Sequence, residues 1–181
     1  MKETPAEVLK RLKEGNARFV HGTLEHPNRC AESKEKSALG QSPSAIILGC
    51  SDSRVPVEII FDQGLGDLFV IRVAGGVLGD LERESILFAV EMFGCPLIVA
   101  LGHENCGAVQ AMRDGKGDKV PTIARHLSPG VKTAATLEEA VNENVRHVVE
   151  KLKEMPVEVV GAVYELSSGK VNFLNGPASP Q

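Results

Sequence analysis

Cys50 closes the apolar run Ala45-Ile46-Ile47-Leu48-Gly49, and His103 with Cys106 follows the run Leu97-Ile98-Val99-Ala100-Leu101-Gly102. Thiolate and imidazole are the ligands of choice for Zn²⁺, with bonds of about 2.3 Å to sulfur and about 2.0–2.1 Å to nitrogen. Three such groups leave the fourth tetrahedral position to water, which is the arrangement of a catalytic rather than a closed structural site. His103 and Cys106 stand three residues apart, about one helical turn, so both can face one ion.

A second constellation begins at the first ligand, Cys50-Ser51-Asp52-Ser53-Arg54. Asp52 and Arg54 are close enough to pair, and a bidentate guanidinium contact would orient the carboxylate. An anion two residues from a metal ligand can accept a hydrogen bond from the metal-bound water or displace that water as fourth ligand, and Arg54 would decide between them. The Cys-x3-Arg spacing excludes a phosphatase-type thiolate nucleophile, which needs Cys-x5-Arg.

These residues must be positioned by the elements around them. Leu68–Val73, rich in β-branched residues, reads as a second strand after Ala45–Gly49, the Leu97 run as a third and Val157–Tyr164 as a fourth. Ser167-Ser168-Gly169-Lys170 then turns the chain into Val171–Leu174 as a hairpin. Helical spacing and capping signals place helices after Thr4-Pro5-Ala6-Glu7, from Leu81 to Phe93 and from Thr136 to about Lys153. A further helix is expected through Val55–Phe61, capped from Ser51-Asp52-Ser53, and loop with short helix over 25–43. Strands that alternate with helices and are continuously apolar predict an α/β fold. Its central sheet is mostly parallel, with about four strands plus an antiparallel edge strand, and helices on both faces. Ligands gather at the carboxyl ends of strands in such sheets, where Cys50 and the His103 motif fall, so the separation of 53 positions between Cys50 and His103 is no obstacle.

Composition narrows the function. A chain of 181 residues with 43% hydrophobic content buries one good core, so a single domain over 1–181 is expected, with an N-terminal helical arm over about 4–40. A net charge of −4 argues against a nucleic-acid or anionic-membrane partner, and no run reaches the roughly 18 apolar residues of a membrane helix. The four cysteines read as reduced thiols of a cytoplasmic protein, with Cys30 and Cys95 outside the motif.

The paired motifs Cys50-Ser51-Asp52-Ser53-Arg54 and Gly102-His103-Glu104-Asn105-Cys106-Gly107 resemble those of the β-class carbonic anhydrases. Phe61-Asp62-Gln63-Gly64-Leu65-Gly66-Asp67, Phe69-Val70-Ile71-Arg72 and Gly161-Ala162-Val163-Tyr164 are also similar to family segments, over about residues 5 to 174. The resemblance implies a zinc enzyme for reversible hydration of CO₂ to bicarbonate, assembled as a homodimer or dimer of dimers, with the N-terminal helix reaching over its partner. It matches Cys50, His103 and Cys106 to the zinc ligands and Asp52 with Arg54 to the catalytic dyad. Gln41, Phe69, Phe88 and Gly107 match substrate-pocket positions.

The implied mechanism is attack of zinc-bound hydroxide on CO₂ beside an apolar wall, with activity rising toward alkaline pH because two thiolates cancel the formal charge of Zn²⁺. The same site could act on carbonyl sulfide or carbon disulfide, and a non-catalytic zinc protein closed by Asp52 is a further alternative. Many relatives read Ala-Gly-Asn where this chain has Ala74-Gly75-Gly76, and Glu where Leu87 precedes Phe88. The stretch from Met112 to Ala135 also looks short for the family. Ile47 stands where members with a noncatalytic bicarbonate site carry Trp, so no such site is expected, and His21, His26, His126 and His147 read as surface residues rather than a proton relay.

Overall fold

The computed structural model describes residues 3–174. Helix α1 (Pro5–His21) opens with the expected capping box: Thr4 Oγ1 accepts the Glu7 N–H, and the Glu7 carboxylate accepts the Thr4 N–H at 2.8 Å. Val8 and Leu12 on its inner face are fully buried in the chain's own core. Asn16 fastens it further. Its Nδ2 donates to Ile60 O at 3.2 Å and Gly169 O at 2.9 Å, and its Oδ1 accepts the Val171 N–H at 2.8 Å. At Gly15 the approach is so close that a Cβ would lie 1.9 Å from the Phe61 carbonyl oxygen. Only α2 (Ala31–Ala38) within the expected arm buries nothing.

The sheet has the order β2-β1-β3-β4-β5. Strands β1 (Ala45–Gly49), β2 (Leu68–Arg72), β3 (Leu97–His103) and β4 (Glu158–Tyr164) run parallel, and β5 (Val171–Leu174) pairs antiparallel with β4. The central strands read as unbroken apolar runs because both their faces are covered. On one face Ala45, Ile47, Leu97, Val99 and Leu101 pack with α1 and with α3 (Val57–Ile60). On the other, Ile46, Leu48, Ile98 and Ala100 meet Ile86, Ala89 and Val90 of α4 (Asp80–Phe93) and Val145, Val148 and Leu152. These last three belong to the long helix Leu137–Leu152, which the expected Thr136 cap opens by accepting the Glu139 N–H at 3.0 Å.

Between β3 and that helix lie α5 (Gly107–Arg113) and α6 (Pro121–His126), so the long helix is α7. The helix expected through 55–61 is shorter than its apolar residues suggested. Pro56 biases Val55 away from helical dihedrals; α3 starts only at Val57, has Pro56 as N-cap and receives no side-chain cap. From β1 the chain passes to β2 on one side and later to β3 on the other, so the carboxyl ends of β1 and β3 form a switch point of the kind at which ligands bind in open α/β sheets.

Candidate metal centre

Gly49 at the end of β1 is in register with Leu101 of β3, which carries Cys50 and His103 to neighbouring positions at the same end of the sheet. Cys106 is the N-cap of α5, reached through Asn105 in a left-handed conformation at φ 53°. The donor atoms of Cys50, His103 and Cys106 all lie within 4.8 Å of one another, and all three residues are buried.

His103 is 1% exposed, and its Nδ1 lies 2.8 Å from the Glu104 carbonyl oxygen, which fixes the ring and makes Nδ1 the protonated nitrogen of the neutral form. Nε2 is then an acceptor turned into the pocket, and it is the buried side-chain polar atom without a hydrogen-bond partner among the described residues. An orphaned imidazole nitrogen beside two thiols is what a cation coordinated there requires. The donor set of two sulfurs and one imidazole fits Zn²⁺.

The electrostatics agree with that fit. The neighbouring Cys106 thiol holds the Cys50 pKa far below its ordinary value, aided by His103 and the Gly75 N–H at 3.3 Å, against the cost of burial. The same contact with Cys50, together with burial, pushes the Cys106 thiol up. A dication bound between the two sulfurs would displace any thiol proton left on them. Burial works against a charged His103, but the Cys50 sulfur, the Glu104 carbonyl and the Asp52 carboxylate together offset it and raise the His103 pKa.

Asp52 folds back on its own turn. Its Oδ1 accepts the Arg54 N–H and Nε at 2.9 Å each, and its Oδ2 accepts from the guanidinium at 2.7 Å. The side-chain contact with Arg54 holds the Asp52 carboxyl well below the usual carboxylate range despite the opposing effect of burial. Asp52 thus braces this turn instead of capping α3. Oδ2 sits 3.9 Å from His103 Nε2, at the edge of the donor triangle.

A carbonic anhydrase family profile matches residues 45–171. The chain is 38% identical over 188 residues to Carbonic anhydrase 2 of Mycobacterium tuberculosis, covering 92% of this chain and 91% of the relative. It is 36% identical over 191 residues to a carbonic anhydrase of Mycolicibacterium smegmatis, covering 93% of each. The fold matches the solved structure of the β-carbonic anhydrase CcaA with a TM-score of 0.70 at 24% identity, over 92% of this chain and 95% of that one. The chain belongs to the β-class carbonic anhydrases. This carbonic anhydrase is accordingly a lyase acting on CO₂ and water, and no helix among its described residues is long and apolar enough to cross a membrane.

The carbonic anhydrase brings five of its sequence-marked residues together, Cys50, Asp52, Arg54, His103 and Cys106, with Gly107 exposed directly after Cys106. Gln41, Phe69 and Phe88 lie elsewhere. Gln41 is exposed and precedes the start of β1, whereas Cys50 follows its end, and β1 alone spans about 16 Å. Phe69 is in register with Ile46 near the start of β1, and it stacks on Phe93 at 6.1 Å, which in turn meets Phe88 edge-on at 5.6 Å.

Several contacts to the centre come from residues that sequence reasoning passed over. Arg72 donates from Nε to Cys50 O at 3.0 Å and from its terminal nitrogen to Asp52 O, clamping the backbone of a candidate ligand and of the carboxylate residue. Gly75 reaches the Cys50 sulfur, and Asn144 of α7 reaches Gly75. For Asn144 a signal was present: it is a polar residue on the stripe of Val141, Val145 and Val148.

Proposed function

We propose that Cys50, His103 and Cys106 hold a Zn²⁺ ion at which CO₂ is reversibly hydrated, with Asp52 and Arg54 as the catalytic pair. The convergence of three soft donors around an unpartnered, buried His103 Nε2 carries this reading. When bound, Zn²⁺ supplies water acidified toward neutrality, less strongly beside two thiolates than beside three imidazoles.

The chain's own groups do the rest. Arg54 engages both Asp52 oxygens, so the carboxylate stays ionised, acts only as an acceptor and is withheld from the metal. From that position Asp52 accepts the hydrogen bond of the attacking oxygen and turns its lone pair toward the CO₂ carbon. The released proton leaves by the exposed side of the Ser51–Arg54 turn.

Gln41, Phe69 and Phe88 serve as substrate-pocket residues only if a second copy presents them, because each lies away from the metal centre of its own chain. The working unit is therefore a homodimer in which Gln41, Phe69 and Phe88 of the partner subunit wall the CO₂ path. The exposed Leu81, Phe88 and Met92 of α4 supply an apolar surface for that contact. Three buried thiols besides exposed Cys30 suit a cytoplasmic enzyme.

The test pairs two variants in stopped-flow CO₂ hydration and metal analysis. Asp52→Asn retains one zinc per chain and loses about 100-fold in kcat/KM, the order of effect of removing one preorganised hydrogen-bond contact to the reacting group. Cys106→Ala loses the metal. Full zinc content in Cys106→Ala, or undiminished turnover in Asp52→Asn, contradicts the assignment.

A further inference from the structure

Asn144 occupies the middle of α7 on the face that Val141, Val145 and Val148 turn to the core, and it is only 4% exposed. Leucine is the better helix former and would pack there without desolvating an amide. Both ends of the amide are used on backbone groups of other segments. Nδ2 donates to Gly75 O at 2.9 Å, and Oδ1 accepts the Ser128 N–H at 3.1 Å. Gly75 in turn donates its N–H to Cys50 Sγ at 3.3 Å.

The Gly75 backbone is held in an unusual state, φ 78° and ψ −1°, and a Cβ on it would meet Ala108 Cβ and Leu127 Cδ2 at 3.3 Å. The following glycine lies over the sheet end, since a Cβ on Gly76 would come within 3.5 Å of Gly49 C and 3.6 Å of Cys50 N. The segment is thus a short bridge between the interior of α7 and the first sulfur. Its carbonyl is gripped on one side and its amide is spent on the other.

We propose that Asn144 is a positioning residue for the metal centre: by holding the Gly75 carbonyl it aims the Gly75 N–H at the Cys50 sulfur. A hydrogen bond to a ligating thiolate draws charge from it and fixes its direction, which sets how firmly the sulfur holds the cation and how much positive charge is left to act on water. The inference rests on Cys50 being a metal ligand, as proposed above.

The protein is loaded with Co²⁺ to read the thiolate bond directly and with Zn²⁺ to time metal loss to a chelator. Unsubstituted protein shows thiolate-to-cobalt charge-transfer absorption; if it shows none, the ligand reading and this inference fall together. Asn144→Leu shifts or weakens that absorption and releases Zn²⁺ about tenfold faster, in line with the loss of an outer-shell contact. Val148→Ala, one turn further along the same face, lowers the melting temperature and changes neither readout. Should Asn144→Leu fail to fold, Asn144→Ser, which loses the reach without adding bulk, carries the same expectations. Absorption and release in the Asn144 variant equal to those of the unsubstituted protein overturn the proposal, as does Val148→Ala reproducing the spectral change.

Discussion

Arg54 makes three donations to Asp52, two from its side chain and one from its backbone, while its side chain remains half exposed. An exposed ion pair contributes little to stability, so its value lies in geometry: a planar fork fixes both oxygens, which a single ammonium cannot do. Arg54→Lys keeps the charge and loses the fork. It is expected to leave zinc content and melting temperature unchanged and to reduce kcat/KM about tenfold, measured by stopped-flow hydration; unchanged turnover would show that charge alone suffices. At this scale the sequence was informative wherever chemistry is local. Cys50, Asp52 and Arg54 fall within five residues, and His103 and Cys106 within four. It did not name the partner where that partner is a backbone atom, as in the contacts of Arg72 with Cys50 O, 22 residues away, and of Asn144 with Gly75 O, 69 residues away, even though a polar Asn144 on an apolar stripe signals that some partner exists. Backbone donors and acceptors are the same at every position, so no residue type announces them.

Among the elements, α1 and the loop after α3 are fastened by Asp62. It is fully buried and accepts from Arg18 Nε at 2.7 Å and from the Glu25 and His26 N–H groups at 2.9 and 3.1 Å. Burial pushes its carboxyl up, but these donors more than offset that and hold it below the ordinary range. Because the folded pKa lies below the unfolded one, the stabilisation is fully present above about pH 3.9 and is lost as the pH falls through the folded value. Asp62→Asn is expected to lower stability near neutrality by about 2 kcal/mol and to flatten the acid limb of a denaturant-midpoint profile; an unchanged acid limb would remove Asp62 from this role. The φ of 47° at Asp62 suits asparagine equally, so backbone strain does not confuse the comparison. Strands were legible because buried parallel strands are unbroken apolar runs, and α1 and α7 because their caps are local. The extent of α3 was not, since Ile59 and Phe61 continue an apolar pattern while Pro56 governs where the helix begins.

At the scale of the molecule, parallel pairing follows from alternating strands and helices, whereas the order β2-β1-β3-β4-β5 had no signal in the sequence; the switch between β1 and β3 brings Cys50 and His103 together at the carboxyl ends of their strands. What a single chain cannot express is its assembly. The fully buried Val8 and Leu12 tie α1 to its own core, whereas Phe88 at 51% and Met92 at 65% exposure leave an apolar face on α4. Phe88→Glu is expected to shift the protein toward monomer in sedimentation and to lose turnover while keeping its zinc; a fully active monomer would refute the shared pocket. Coordination of Zn²⁺ by Cys50, His103 and Cys106 is tested most directly by X-ray absorption at the zinc edge near neutral pH. Two sulfurs at about 2.3 Å and one nitrogen at about 2.0–2.1 Å are expected, with the remaining position taken by an exchangeable oxygen that persists in Asp52→Asn. A shell of four protein donors, or an oxygen that vanishes with the Asp52 carboxylate, would contradict it.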